Sequence, residues 1–389
     1  MFMYFPENYP WSMAVLLATN MGGVLSEMDE ACAALKPHAA ANDATANELW
    51  FQQWTRIAAR AEAQADADAA NSHAFTAARK YKRAAIYHMT AERQARAGDP
   101  RKVASYKKML ACFARGTVLA GDRVERVEVP SPAGDLPALY VPAAAPGTAT
   151  GRGPAIVHMD GLDVMKEFLF LSGVAEGYAR RGIAVLLLDH PGIGEALRLR
   201  NLRLTPEVEV PAGAALDWLQ TRAEIDPKRI GVAALSLGGY YAPRVAACDA
   251  RFACCVAWGG IWDYGPITRA RAAGGGSALS VSNWEHHMQL VFGLESMDDI
   301  LAATDRMALA PVMDRLHCPL LVVHGENDRQ IAVAMAENTV AAAKNSKRAE
   351  LKLFSLAEGG AEHCQVDNPT LGADYIADWV AGVLGGRMA

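Results

Sequence analysis

Residues 229–240 read RIGVAALSLGGY, and this stretch determines the fold that the sequence predicts. The apolar run Ile230 to Ala234 predicts a buried strand, because a Pro-Lys-Arg turn precedes it. Ser236 follows at a sharp turn, and a helix is expected to begin after it. The five residues 234–238 are a variant of the G-x-S-x-G nucleophile elbow, with Ala in place of the first Gly. The alternative is an ordinary strand, turn and helix that contains a Ser.

Two later segments supply the acid and the base that a nucleophilic serine needs. Residues 319–328 form an apolar strand and a polar loop ending in Asp328, and residues 350–363 form a strand and a Gly-rich loop ending in His363. In α/β-hydrolases the chain order is Ser, then acid, then His. The sequence therefore predicts a triad with Ser236 as nucleophile, in which the His accepts its proton and the Asp orients the His.

The oxyanion of a tetrahedral intermediate needs preorganised hydrogen-bond donors. We expect the Leu237 N–H to be one of them, because it directly follows the nucleophile. The second should come from the loop after the strand at 155–158. In that loop we favour the Leu162 N–H, followed by the Gly161 N–H. The alternative for Gly161 is that it serves only the turn.

Four further residues are candidate substrate contacts: Tyr240, Trp262, Asp263 and Trp284. Asp263 follows a strand, so it is a candidate second acid or substrate contact. The two Trp residues belong to an insertion after the sixth strand, where packing inside a lid is an equal alternative for each. Three His residues near strand ends are expected to have structural roles: His158, His190 and His324.

The pattern of elements predicts a helical part followed by an α/β part. Residues 1–120 are expected to form helices, with Gly116 ending one of them. Residues 121–389 alternate between apolar strands and helices, including one helix around 168–181. This alternation predicts an α/β-hydrolase fold, a mostly parallel sheet covered by helices, with a lid insertion at about 262–310. Loops are predicted over 143–153 and 272–277.

Net charge, cysteine spacing and apolar segments indicate which partners and which compartment to expect. The 389 residues carry a net charge of −5, which gives no indication of nucleic-acid binding. The seven Cys residues are odd in number and have no metal-site spacing, which is typical of free thiols in a reducing compartment. No apolar segment has the length of a signal peptide or membrane span. We therefore expect a cytoplasmic protein without membrane contact, metal or cofactor, acting on a small molecule.

Four motifs together resemble the FrsA-like α/β-hydrolases, in particular the dihydroxypseudooxynicotine and fungal heptaketide hydrolases. They are the elbow, the loop 161–167, the segment LDHPG at 188–192 and the segment GGAEHCQ at 359–365. The resemblance implies a serine triad of Ser236, Asp328 and His363, with Leu162 and Leu237 as oxyanion donors. It also implies a homodimer and a helical domain over 1–120 that covers the active site.

The same resemblance implies a reaction. In this family a serine triad cleaves a C–C bond next to a ketone, in an aryl or polyketide-like substrate such as a β-diketone. Other members are plain esterases, so a carboxylic ester hydrolase or acyltransferase acting on a small molecule is the alternative. A binding protein with a vestigial site is a third possibility, against which the complete Ser, Asp and His set argues.

Overall fold

The computed structural model describes residues 1–96, 98–144, 151–275 and 278–387, which form two compact units. The helical unit contains residues 2–124 and 278–287, and the sheet unit contains Met1 and the remaining described residues. The predicted insertion at 262–310 is thus divided between the two units. The predicted loops at 143–153 and 272–277 fall partly outside the described residues.

The helical unit is built on long helices packed around aromatic side chains. Its helices from the N-terminal segment are α1 (Tyr9–Asn20), α2 (Leu25–Ala33), α3 (Ala44–Ala70), α4 (Ala74–Arg93) and α5 (Pro100–Ala120). Helices α3 and α4 are antiparallel, because Lys80 pairs with Asp68 at one end while the Trp50 indole donates to the Thr90 carbonyl at the other. Neighbouring rings contact one another in edge-to-face or tilted arrangements in the core: Phe5, Trp11, Trp50, Trp54 and Tyr87.

The last of these helices does not end where the sequence predicts. Helix α5 continues past Gly116 to Ala120, and Gly121 closes it in the left-handed conformation with φ 69°. A Cβ atom at Gly116 would lie 2.9 Å from Lys82 Cγ and 3.1 Å from the Lys82 backbone nitrogen. Gly116 therefore permits close packing of α5 on α4, and the prediction that it ends the helix is wrong.

The sheet unit confirms the predicted α/β-hydrolase fold. Its strands are β1 (Glu125–Val129), β2 (Leu136–Val141), β3 (Gly153–Met159), β4 (Ala184–Leu188), β5 (Ile225–Leu235), β6 (Cys255–Trp258), β7 (Leu320–Gly325) and β8 (Ala349–Phe354). Among the described residues they form one sheet in the order β1-β2-β4-β3-β5-β6-β7-β8. Strands β1 and β2 are antiparallel to their neighbours, and the other pairs are parallel. Every residue of β2, β3, β4, β6 and β7 is buried, as expected for a covered sheet.

Helices connect these strands. They are α6 (Lys166–Leu171), α7 (Val174–Arg180), α8 (Gly194–Arg198), α9 (Glu209–Gln220), α10 (Gly238–Cys248), α11 (Gly265–Ala272), α12 (Trp284–Phe292, which begins in the helical unit), α13 (Met297–Asp305), α14 (Val333–Ala342) and α15 (Pro369–Leu384). The single helix predicted around 168–181 is wrong, because Gly173 adopts φ 81° and separates α6 from α7. In the described part of the chain, no helix combines the length and apolar character required to cross a membrane.

The topology brings the predicted site residues to one edge of the sheet. Strand β3 lies between β4 and β5, so the strand order reverses there and leaves a crevice at the carboxyl ends of the strands. The loop carrying Gly161 follows β3, and Ser236 follows β5. Asp328 follows β7 and His363 follows β8, so these side chains approach the same edge.

Candidate active site

Ser236 lies at a tight turn whose backbone conformation is rare for its residue type. Its φ is 61°, which costs a non-glycine residue about 1–3 kcal/mol, and its N–H donates to the Trp258 carbonyl over 2.8 Å. A Cβ at Gly238 would lie 2.5 Å from Ala234 Cβ. The Ala in place of the first elbow glycine is therefore accommodated because Gly238 has no side chain.

A continuous hydrogen-bonded chain joins the three predicted triad residues. His363 Nε2 lies 2.9 Å from Ser236 Oγ, and His363 Nδ1 lies 2.7 Å from Asp328 Oδ2. Because an ionised carboxylate only accepts, Nδ1 carries the hydrogen and Nε2 presents its lone pair to the serine hydroxyl. This arrangement allows the imidazole to take the hydroxyl proton as the oxygen attacks.

The surroundings of Asp328 hold it ionised. Its Oδ1 accepts the N–H groups of Gln330 and Ile331 at 2.8 and 2.9 Å, and His324 Nε2 lies 3.6 Å from its Oδ2. Burial opposes ionisation, but the charge of His363 and its hydrogen bond outweigh that effect and lower the pKa of Asp328. For His363, burial opposes protonation, but the Asp328 charge outweighs it and the pKa lies well above its ordinary value.

The loop that carries the histidine is fixed by a second set of contacts. Cys364 adopts φ 48°, and its thiol lies 3.7 Å from His363 Nε2 and donates to the Trp258 carbonyl over 3.3 Å. Gln365 Oε1 accepts the Trp258 indole N–H at 2.6 Å. The same residue, Trp258, thus contacts both the histidine loop and the Ser236 N–H, which couples their positions.

The predicted oxyanion loop lies directly against the serine turn. A Cβ at Gly161 would lie 2.7 Å from Ser236 Cβ and 3.0 Å from the Leu237 nitrogen. Among the described residues, no backbone carbonyl accepts the Leu237 N–H, which is therefore available to a ligand. The Gly161 N–H donates to Asp160 Oδ1 over 2.9 Å, so this hydrogen is already used inside the loop. Leu162, next in the chain, is buried.

Replacing Gly161 by Ala is expected to lower kcat at least about 100-fold, because a displacement of about 1 Å at a reacting centre has an effect of that size. The new methyl group would force the loop away from Ser236. Gly382→Ala is the matched control, since in the described part of the chain no atom beyond its neighbours and its own helix backbone lies within 4 Å of a Cβ at that position. Hydrolysis kinetics of both variants check this, and a Gly161→Ala enzyme with unchanged kcat would contradict it.

A buried network of ion pairs holds the chain that follows this loop. Lys166 Nζ lies 2.8 Å from Glu167 Oε1, 2.8 Å from Asp189 Oδ2 and 3.3 Å from Glu195 Oε2. The backbone N–H of Lys166 also donates to Asp189 Oδ1 over 2.9 Å. Burial opposes protonation of Lys166, but the three carboxylates outweigh it and raise its pKa. Lys166, the first residue of α6, is therefore anchored to Asp189 at the end of β4.

Replacing Lys166 by Met is expected to lower the free energy of unfolding by about 3–5 kcal/mol, because it leaves buried carboxylates without their cation. Adding Glu167→Gln should restore part of this loss, since it removes one of those charges. Denaturant unfolding of the single and double variants measures both effects. The exposed Lys344→Met is the control, and equal stability of the two Lys variants would refute the expectation.

The structure shows the burial and the hydrogen bonds of each residue predicted to contact the substrate. Tyr240 is fully buried and its hydroxyl donates to the Pro206 carbonyl over 3.1 Å. Asp263 Oδ1 accepts the N–H of Gly265 at 3.1 Å, beside the beginning of α11. Trp262 is half-buried, with its carbonyl accepting the Leu309 N–H, and Trp284 is a buried residue of the helical unit. Their role in substrate binding stays a prediction.

Sequence reasoning assigned no role to two residues that hold the site together, Lys166 and Asp189, which anchor the loop after β3. His324, expected to be structural, faces Asp328. His190, expected to be structural, places Nε2 3.2 Å from the Asp160 carbonyl, next to Gly161. A signal was present for Asp189 and His190, which directly follow the apolar strand β4, but their partners lie far away along the chain.

The sheet topology and the serine turn after β5 define the protein as an α/β-hydrolase. Residues 44–263 match the FrsA-like esterase family, and residues 172–385 match the prolyl oligopeptidase family. Each match covers more than half of the chain, so the protein belongs to these families of α/β-hydrolases. The FrsA-like resemblance predicted from four motifs is thereby confirmed.

Similar proteins are hydrolases. The chain is 29% identical over 365 residues to hydrolase acrC of Aspergillus aculeatus, covering 83% of each protein. It is 31% identical over 307 residues to 20-hydroxy-prefusarin hydrolase FUS2 of Gibberella moniliformis, covering 71% of this chain and 73% of that protein. The solved structure of 2,6-dihydroxy-pseudo-oxynicotine hydrolase superposes with a TM-score of 0.76 at 23% identity, over 96% of this chain and 97% of that one, and so shares the fold.

Proposed function

We propose that the protein is a serine hydrolase that cleaves a C–C bond next to a ketone in an aryl or polyketide-like β-diketone through an acyl-enzyme. The observation that carries the serine chemistry is the hydrogen-bonded chain from Asp328 through His363 to Ser236. In this proposal Ser236 is the nucleophile, His363 the general base and then acid, and Asp328 the residue that orients the imidazole.

In the acylation step, Ser236 Oγ attacks the ketone carbon while its proton passes to His363 Nε2. The resulting oxyanion is bound by the Leu237 and Leu162 N–H groups, and one such donor lowers the barrier by roughly 3–4 kcal/mol in comparable enzymes. The C–C bond then breaks, and its electron pair leaves with the carbon fragment as an enolate. His363 returns the proton to this fragment, and the acyl group remains on Ser236.

In the deacylation step, water replaces the departed fragment. His363 Nε2 accepts a proton from the water as its oxygen attacks the acyl-enzyme, and the same N–H groups bind the second oxyanion. Collapse of this intermediate releases a carboxylic acid and returns the proton to Ser236. The overall reaction consumes one water per bond cleaved and requires no cofactor.

The resemblance to the FrsA-like hydrolases favours the C–C bond over the ester bond, and the chemistry limits which C–C substrates are suitable. A carbon leaving group departs readily only if its charge is delocalised, which a β-diketone provides through the second carbonyl group. The four motifs of the FrsA-like resemblance include the histidine segment at 359–365, which is its most specific part. Carboxylic ester hydrolysis or acyl transfer is the alternative, because the same triad serves an ester equally well.

The test compares matched substrates. Purified enzyme is incubated with an aryl β-diketone, such as 1-phenylbutane-1,3-dione. In parallel it is incubated with phenyl esters of the acyl groups that the diketone contains. Acid release from each substrate is followed by mass spectrometry. Acid from the diketone that disappears in Ser236→Ala supports the proposal. Rapid ester cleavage with no diketone cleavage would establish the ester hydrolase instead.

Two further expectations accompany this proposal. The homodimer that the resemblance implies stays a prediction, which sedimentation equilibrium of the full chain would check. The cytoplasmic location also stays a prediction, checked by fractionation of cells that express the protein.

A further inference from the structure

Three side chains with metal-binding atoms meet inside the helical unit, apart from the hydrolase chemistry. Glu62 lies on α3, His88 on α4 and Cys112 on α5. One ligand atom from each lies within 4.8 Å of the other two. His88 is 2% exposed and Cys112 is 1% exposed, so the group is shielded from bulk water on the side of these residues.

The hydrogen bonds of His88 determine which of its nitrogens is available. Ser105 Oγ donates its hydrogen to the His88 carbonyl over 3.1 Å, so a lone pair of that oxygen faces His88 Nδ1 at 3.4 Å. Nδ1 is therefore the nitrogen that carries the hydrogen in the neutral ring. Nε2 then presents a lone pair, and among the described residues it has no hydrogen-bond partner.

The atom that faces this lone pair is also an acceptor. Glu62 Oε2 lies 3.6 Å from His88 Nε2. The Glu62 side chain is 27% exposed and the His88 side chain 2%. Two acceptors facing each other beside a buried ring repel unless a proton or a metal cation lies between them. Lys108 Nζ is 3.9 Å from the same Glu62 oxygen, but its side chain is 57% exposed. A metal cation between His88 Nε2 and Glu62 Oε2 would relieve their repulsion.

We propose that Glu62, His88 and Cys112 bind one Zn²⁺ ion. Imidazole nitrogen, thiolate and carboxylate are the ligands that zinc accepts in proteins, whereas calcium and magnesium require oxygen ligands. Ligand atoms around tetrahedral zinc are separated by about 3.4–3.6 Å, so the longest separation in the cluster has to contract by up to roughly 1.4 Å. Water occupies the fourth position.

Charge balance supports zinc at this site. On binding, the Cys112 thiol loses its proton to solvent and becomes a thiolate. One thiolate and one carboxylate neutralise Zn²⁺, with a neutral imidazole as third ligand, so the buried complex has no net charge. The Ser105 contact to Nδ1 fixes the ring tautomer, as residues behind zinc-binding histidines do.

The experiment measures metal binding directly in the full-length protein after treatment with a chelator. We expect one Zn²⁺ per chain by titration calorimetry and a higher thermal midpoint with zinc. Cobalt in place of zinc should produce a thiolate-to-metal charge-transfer band, which requires a Cys ligand. Because removing even a supporting residue weakens zinc sites about 10–100-fold, loss of a ligand in Cys112→Ser or Glu62→Gln should weaken binding at least about 100-fold.

Controls separate metal binding from misfolding. Cys32→Ser removes another buried thiol of the same unit without touching the cluster, and it should bind zinc like the wild type. Circular dichroism establishes that each variant is folded. The proposal is overturned if the wild type binds no zinc at micromolar concentration, which would mean that a proton on Nε2 satisfies the cluster. It is equally overturned if folded Cys112→Ser retains full affinity.

Discussion

Replacing Ser236 by Ala is expected to lower kcat by about 10⁴- to 10⁶-fold, as loss of the nucleophile does in other triad enzymes. In the proposed mechanism the hydroxyl oxygen, 2.9 Å from His363 Nε2, is the atom that attacks the carbonyl. Alanine keeps the Cβ atom and experiences the same strained backbone, so the turn should persist. The Leu237 N–H and the substrate contacts should also persist, so substrate binding is expected to change much less than kcat.

The measurement is single-turnover hydrolysis of the preferred substrate, together with labelling by a fluorophosphonate probe. Wild-type protein should incorporate one probe molecule per chain, and Ser236→Ala should incorporate none. Ser172→Ala is a matched control, because this half-buried serine donates to the Leu169 carbonyl within its own helical turn. If Ser236→Ala retains most of the wild-type kcat, Ser236 is not the nucleophile and the proposed mechanism is wrong.

The order of elements along the chain made the sheet and the grouping of Ser236, Asp328 and His363 predictable. Each of these residues follows a predicted strand, and parallel strands place their carboxyl ends at one edge of the sheet. A pattern of residue types is therefore enough to bring them together. Gly161 was also identifiable as part of the loop after β3, although its contact with Ser236 depends on distances that a pattern does not contain.

Contacts between distant, individually ordinary residues were not predictable. An isolated Lys in a sequence is usually exposed. Lys166 is the first residue of α6, whereas Asp189 lies in the connection after β4. Only the parallel pairing of β3 with β4 places them together. The cluster of Glu62, His88 and Cys112 was not predictable either, because its members lie on three helices and no short spacing in the sequence links them. The packing of Gly116 against Lys82 depends on the neighbouring helix in the same way.

Replacing Asp328 by Asn is expected to lower kcat by about 10⁴-fold, the effect of this change in other serine triads. The amide is nearly the same size as the carboxylate, so the hydrogen bonds from the Gln330 and Ile331 N–H groups to its oxygen can remain. An amide NH₂ facing His363 Nδ1 would instead favour the tautomer with the hydrogen on Nε2. That ring would present no lone pair to Ser236, so the base would be lost while the fold is retained.

Asp263→Asn is the informative comparison, because Asp263 is the residue that the sequence offers as a candidate second acid after a strand. Its Oδ1 accepts the Gly265 N–H, which an amide oxygen can also do, so a loss much smaller than that of Asp328→Asn is expected. The two variants are assayed side by side with the same substrate. A large loss in Asp263→Asn and a small one in Asp328→Asn would transfer the role of the acid to Asp263.

The pH profile provides a second readout of the same pair. Only neutral His363 can accept the serine proton, so kcat/KM should rise with pH through the pKa of this residue. Asp328 holds that pKa well above the ordinary 6.5, so the acidic limb of the wild-type profile should have its midpoint above pH 6.5. In Asp328→Asn, burial of the ring is no longer opposed by a carboxylate, which lowers the pKa. The residual activity should therefore have its acidic limb at lower pH, and an unshifted limb would mean that another group titrates.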